Sequence, residues 1–415
     1  MPLNFDTVLF YAPYALQALV PFRVLVAIAV GTIAYWLVPH RWRGSALIAI
    51  SIGVVLMGYE RPALLVIGIA LVCALVYWAV QQGVPRKPLI IGIIALYGLA
   101  HFAFGLITFT SWLNFTGLTA DYVLPTIGLT SAFTFLRMIH FTVDFSSPHP
   151  QPLPGGERSQ TLLTFAAWCL FFPTFVHLPL IRYQAWAQQF ENLPDQPTWE
   201  FARAGVSRIA QGIVKGVFIA VVFATLNPTN VLLTPAGRTF IELFFAVIIS
   251  AITYYIGFSA YMDIGIGAAR LFGIVLPENF APVLKMIRIN RMRDFWRSWN
   301  ITTTQWLNDY VFTPLGGHRK HPVRNVLLTM TVCGLWHSIS IFGVAWGFGL
   351  GMLLLIEHFW NRMRIRRNWP EVPPHLRAVL LMGGVALVNL SLTPYGYTAA
   401  SARYLYPLYW LAVVR

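Results

Sequence analysis

Apolar runs at or near membrane-spanning length recur along the chain, at 8–20, 22–38, 45–59, 63–80, 88–109, 121–141, 161–181, 210–227, 239–260, 326–340, 341–357, 376–393 and 402–414. A helix needs roughly 20 apolar residues to cross about 30 Å of hydrocarbon. Only 11% of the 415 residues are charged, against about 25% in a soluble domain. So few charges cannot cover a soluble body of this size. The sequence therefore predicts an integral membrane protein of roughly ten to twelve helices. Shorter or proline-bearing runs are candidates for re-entrant or interfacial pieces. No hydropathy repeat relates the two halves, which argues against a repeat-built transporter.

The net charge is +14, from 29 Lys and Arg against 15 Asp and Glu. The bases sit in short loops between apolar runs, as the positive-inside rule expects. Nucleic acid is excluded as a partner, because a duplex needs a basic face in water. His40-Arg41-Trp42-Arg43, Arg86-Lys87 and residues 362–367 read as cytoplasmic loops. Cys73, Cys169 and Cys333 are isolated and read as buried thiols outside any disulfide. Met1-Pro2-Leu3-Asn4-Phe5-Asp6 carries no basic n-region, which predicts no cleaved signal peptide. Residues 146–160, rich in Pro and Gly, read as a flexible connection.

Residues 277–325 are basic and aromatic, and too polar to span a bilayer. Lys285, Arg288, Arg291, Arg293, Arg297, Arg319, Lys320 and Arg324 crowd there, interleaved with Trp296, Trp299 and Trp306. This is the signature of a segment at the headgroup boundary, or of one dipping in as a re-entrant piece. Segment 285–324 is the expected holder of a donor's anionic end. His337, in Cys333-Gly334-Leu335-Trp336-His337-Ser338, is an ionisable residue in an apolar run. It is either a general base or a neutral histidine bonded to its neighbours. Asn300 offers an amide donor for a developing oxyanion, or a plain N-cap for a helix starting at Ile301. Asp309 precedes the turn Pro314-Leu315-Gly316-Gly317-His318-Arg319. That turn either lets backbone approach a phosphate-bearing donor or is an ordinary turn. Arg137, His140 and Asp144 fall on one helix face and read as an ion-paired group. Asp263 needs a partner, with Arg270 or a Ser or Tyr hydroxyl as candidates, while Gly265 and Gly267 favour close helix approach. The ten histidines show no metal-ligand spacing.

Five blocks in order resemble the membrane-bound O-acyltransferase family. They are Phe258-Ser259-Ala260-Tyr261-Met262-Asp263, Pro277-Glu278-Asn279-Phe280, Asp294-Phe295-Trp296-Arg297-Ser298-Trp299-Asn300, Trp306-Leu307-Asn308-Asp309-Tyr310 through Gly317, and Gly334-Leu335-Trp336-His337. The likeness is strongest to bacterial members of the alginate O-acetylation and teichoic acid D-alanyl transfer type. It implies a single all-α membrane domain over 1–415, with a central tunnel and a catalytic core near 255–350. It maps the family's catalytic histidine onto His337 and its second signature position onto Asn300. Trp296, Trp299, Trp306, Trp336, Asp263, Asp309, Arg291, Arg293 and Arg319 are the expected substrate and donor contacts.

The implied reaction moves an acyl group from a cytoplasmic thioester, acyl-coenzyme A or an acyl carrier protein, with no tightly bound cofactor. The acceptor is a hydroxyl of an extracytoplasmic polysaccharide or envelope polymer, or of an esterase-like acyl relay protein. Membrane lipids are the other expected partner, and the inner membrane the expected location. This chain departs from the polysaccharide-modifying members in having Asn300 where they usually carry His, and Ser338 where they usually carry Gly. An acyltransferase acting on a lipid, a proton-coupled transporter or flippase, and an inactive scaffold are the alternative readings.

Overall fold

A run of Leu, Ile, Val and Ala in lipid has no water to take its backbone N–H groups, so it closes them internally as a helix. The computed structural model describes residues 22–58, 62–112, 120–145, 162–175, 179–226, 239–286, 288–337, 339 and 341–392. The expected runs 8–20 and 402–414, the connection 146–160 and Ser338 lie outside the described residues. Among the described residues the regular elements are helices, with no strand. The long ones are Phe22–Leu37, Arg43–Gly58, Pro62–Gln81, Arg86–Trp112, Ala120–Phe145, Trp199–Leu226, Phe240–Leu271, Pro322–His337, Ile341–Arg366 and Pro374–Leu392. By length and composition together, one described segment, Gly343–Arg366, passes as a membrane span; Phe22–Leu37 and Val66–Gln81 are apolar but shorter.

Two of these helices turn a long apolar stripe outward. Phe22, Val26, Val30, Ile33 and Leu37 point outward at spacings of three and four, while Val24, Ile28, Gly31 and Tyr35 face in. Ile67, Leu71, Leu75 and Trp78 repeat the pattern on Pro62–Gln81. Outer stripes of this kind suit lipid and are rare on soluble monomers.

Two compact units divide the chain. One gathers the described residues of Val20–Ile213 and Tyr261–Pro277. Its core includes Val24, Ile28, Val54, Ile264 and Ala268, and an aromatic group in which the Phe141 and Phe165 rings lie 4.4 Å apart. The expected span 161–181 is broken here into Leu162–Leu170 and Phe172–Phe175. Pro173 lacks an N–H and disfavours helical backbone at the residue before it. The carbonyls left open are taken by the buried guanidinium of Arg137. It donates to Trp168, to Cys169 at 3.2 Å and to Thr174 at 3.4 Å, and lies 4.5 Å from the Trp168 ring centre.

The expected ion pairing among Arg137, His140 and Asp144 is therefore corrected for Arg137. Arg137 serves helix carbonyls, and Asp144 pairs with Arg182 at 3.1 Å. Arg43 is likewise committed: it is buried, donates to the carbonyls of Pro194 (2.7 Å) and Asp195, and packs over Trp36. The partner of Asp263 is Arg208, at 2.8 Å, not Arg270. The pair ties Trp199–Leu226 to Phe240–Leu271 beside a close crossing of Gly205 and Gly267, where an added Cβ on Gly267 would stand 2.7 Å from the Gly205 oxygen.

The second unit gathers the described residues of Val214–Ala260 and Glu278–Arg415. Its centre is the antiparallel hairpin Pro322–His337 and Ile341–Arg366. The two helices touch backbone to backbone at Gly334 and Gly347. A Cβ on Gly334 would stand 2.8 Å from the Gly347 nitrogen and would overlap the Gly343 carbonyl oxygen. Met292, Met330, Leu350 and Val388 form a buried cluster beside this crossing. Ahead of Pro322, the described part of the polar segment 277–325 makes short helices, Val283–Met286, Met292–Trp296 and Ile301–Leu307, and a π turn at Asn308–Phe312.

Candidate active site

His337 is the last residue of its helix, one turn beyond the Gly334 contact. The residue as a whole is exposed at that helix end. It meets Trp336 at 4.4 Å and Trp346 at 5.1 Å between ring centres, edge to face in both cases. Two rigid rings restrict the side chain without consuming its nitrogens.

Asn300 has left-handed backbone, φ 47° and ψ 50°, a conformation asparagine tolerates better than most residues. It stands at the N-cap position of Ile301–Leu307 but makes no side-chain cap bond. Asn279 takes that role from outside the helix. Its Oδ1 accepts from the Thr302 N–H at 3.1 Å and the Thr302 hydroxyl at 2.8 Å. Its Nδ2 donates to Asn300 Oδ1 at 3.0 Å. Main-chain bonds from Ile301 N to Asn279 O and from Ala281 N to Ser298 O, both 2.9 Å, clamp the two segments together.

The other expected residues divide. Trp299 is packed among Tyr255, Phe258, Phe280 and Phe295, stacking on Phe295 at 5.6 Å. Trp306 is buried against Tyr310. Phe295, Trp296 and Trp346 all pack on the Met292, Met330, Leu350 and Val388 cluster, so the segment bearing Asn300 and the hairpin bearing His337 share one core. Asp309 and Arg319 are exposed, on the π turn and on the turn after it. Gly316 (φ 104°) and Gly317 (φ 55°) need the positive φ that glycine allows. Asn325, fully buried, donates to the carbonyls of Leu315, Gly317 and Lys320 and fixes that turn. Arg293 is exposed. Arg291 pairs with Glu371 at 3.2 Å, and Glu371 also holds Arg377 at 2.9 Å. Asp263 belongs to the other unit.

Sequence reasoning passed over Asn279, Asn325, Trp346 and Glu357, whose carboxylate accepts from the Met292 N–H at 2.6 Å. Part of the expected basic segment gathers in an open cleft of about 320 Å³ lined by Lys285, Arg288, Ile289, Asn290, Asp294, Arg297 and Ser298. Asn279 lies in the family-like block Pro277-Glu278-Asn279-Phe280, but its partners are 21 and 23 residues away, and no local spacing exposes that.

Outward apolar helix faces and a histidine at the end of a glycine-packed hairpin are what a helical membrane protein of this kind presents. The chain belongs to the membrane-bound O-acyltransferase family, whose sequence model matches residues 94–392. It is similar to “Probable alginate O-acetylase AlgI” of Pseudomonas fluorescens, 35% identical over 211 residues, covering 48% of this chain and 39% of that protein. It is 28% identical over 206 residues to the peptidoglycan O-acetyltransferase of Helicobacter pylori, covering 48% and 38%. It is 24% identical over 255 residues to the teichoic acid D-alanyltransferase of Streptococcus thermophilus, covering 58% and 61%. The chain thus matches from about two fifths to three fifths of the length of these curated relatives.

Proposed function

We propose that this chain is a multi-pass inner-membrane acyltransferase. It moves an acyl group from a cytoplasmic thioester to a hydroxyl of an extracytoplasmic envelope polymer, or of a relay protein that serves one. His337 takes the hydroxyl proton as that oxygen attacks the thioester carbonyl. Asn300 donates its amide N–H to the oxyanion as the thiolate leaves. Ten to twelve membrane or re-entrant helices around a central tunnel would let the donor and acceptor meet from opposite faces. The observation that carries the reading is His337 itself, an imidazole held against Trp346 one turn beyond the Gly334–Gly347 crossing in the family-matched segment. The names of the relatives support an envelope polymer as acceptor. Asn300, in place of the histidine those members usually have, favours a lipid-linked acceptor as the second reading.

The test is incorporation of labelled acetyl groups from acetyl-coenzyme A into the envelope polymer fraction by inverted membrane vesicles bearing this chain as the sole acyltransferase. Label appearing in extracted lipid instead selects the second reading. In this assay Asn300→Gly keeps the left-handed backbone and loses the donor. The expected fall in kcat is about 10²- to 10³-fold. Asn300→Asp keeps an acceptor for Asn279 and is expected to fall as far. A normal rate in both variants removes Asn300 from the chemistry.

The donor's anionic end fits the basic cleft better than the Arg291 and Arg293 pair, because Glu371 already compensates Arg291. Reversing charge at Arg288 and Arg297 is expected to raise the donor KM and flatten its salt dependence, with little change in kcat. If only Arg291→Glu and Arg293→Glu raise KM, the anion sits outside the cleft.

A further inference from the structure

We infer that Asn279 is a positioning residue that sets which end of the Asn300 carboxamide faces the reaction, an inference that rests on the donor role proposed for Asn300. Carboxamide oxygen and nitrogen have the same shape, so orientation must come from the hydrogen-bond network. Here the network begins at a group with no choice. The backbone N–H of Thr302 can only donate, so the Asn279 atom 3.1 Å from it must be Oδ1. The other end of Asn279 is then Nδ2, which can only donate, and the Asn300 atom 3.0 Å from it must be Oδ1. Asn300 Nδ2 is therefore turned the other way. No described group takes it up, and it is not among the sealed polar atoms. The backbone of residue 302 thus fixes, through two side chains, that position 300 offers a donor rather than an acceptor. Asn279 is 0% and Asn300 7% exposed, so water competes little for these bonds.

This arrangement makes Asn279→Asp a specific tool. Aspartate still accepts from the Thr302 N–H and hydroxyl, so the clamp between the segments keeps its bonds. Its second oxygen now faces Asn300 Oδ1 at the 3.0 Å separation, where two acceptors repel. Rotation of the Asn300 carboxamide by a half-turn relieves this. It gives the amide protons to the introduced carboxylate and presents oxygen to the substrate. The donor disappears with Asn300 unmutated.

The experiment compares Asn279→Asp, Asn300→Gly and the double variant in the labelled-acetyl vesicle assay, with melting temperature in detergent as the fold control. The expected result is a kcat for Asn279→Asp lowered about 10²-fold or more, with KM within a few-fold of the starting value. The double variant should fall no further than Asn300→Gly alone, because both changes remove one donor. Effects that multiply in the double variant, or a KM rise in place of the kcat loss, overturn the inference and make Asn279 a structural residue. A normal rate for Asn279→Asp beside an impaired Asn300→Gly overturns it while leaving the role of Asn300 intact. A normal rate for Asn300→Gly overturns the role of Asn300, and this inference with it.

Discussion

His337→Ala is expected to lower acyl transfer by about 10²- to 10⁴-fold, the usual worth of a positioned general base, while the protein inserts and folds. The residue stands exposed at a helix end, where truncation is tolerated better than in a closed core. What is lost structurally are two edge-to-face contacts, with Trp336 and Trp346, typically about 0.5–1.5 kcal/mol each. The measurement is the labelled-acetyl rate beside the melting temperature in detergent. A shift of a few degrees in melting with a rate near background fits the base. A rate within a few-fold of the starting protein means that the hydroxyl proton goes elsewhere. His337→Gln separates base from hydrogen-bond donor, since a glutamine amide donates but does not accept a proton near neutral pH.

The helices were legible because length of apolar run is a one-dimensional property. Expected runs 22–38, 63–80 and 376–393 match Phe22–Leu37, Pro62–Gln81 and Pro374–Leu392 within two residues at each end. Expectation failed where charge stands inside a helix. The run expected at 210–227 belongs to a helix that starts at Trp199, because hydropathy reads Arg203 and Arg208 as loop. Arg208 is stable there through Asp263, a partner 55 positions away that only the fold supplies. In the same way Pro173 signalled a break in 161–181, but the group that makes the break tolerable, Arg137, lies on another helix. At the site, His337 and Asn300 were readable as residue types in a motif. The orientation of Asn300 was not, because it depends on a chain of donors and acceptors through Asn279 to the backbone of Thr302. The basic segment 285–324 was readable as charge density, but which of its bases share a cleft was not: Lys285, Arg288 and Arg297 line it together, while Arg291 pairs with Glu371.

Gly334→Ala should damage both stability and rate, although alanine is the better helix former by about 0.8–1.0 kcal/mol. The new methyl group would overlap the Gly343 carbonyl oxygen and stand 2.8 Å from the Gly347 nitrogen. Both are backbone atoms on a packed helix and neither can rotate aside. The hairpin must open, and overpacking of this kind typically costs about 1–3 kcal/mol. Opening moves His337, three residues along the same helix, and with it the contact to Trp346. A displacement of about 1 Å can cost on the order of 10²-fold in rate. Gly383→Ala is the matched control, since a Cβ there meets nothing within 4 Å; helix propensity alone acts at that position, and its melting temperature should hold or rise with no change in rate. The expected pattern is a lower melting temperature and an acyl-transfer rate down by about 10²-fold for Gly334→Ala only. If Gly334→Ala behaves as Gly383→Ala does, the glycine crossing is not what holds His337 in place.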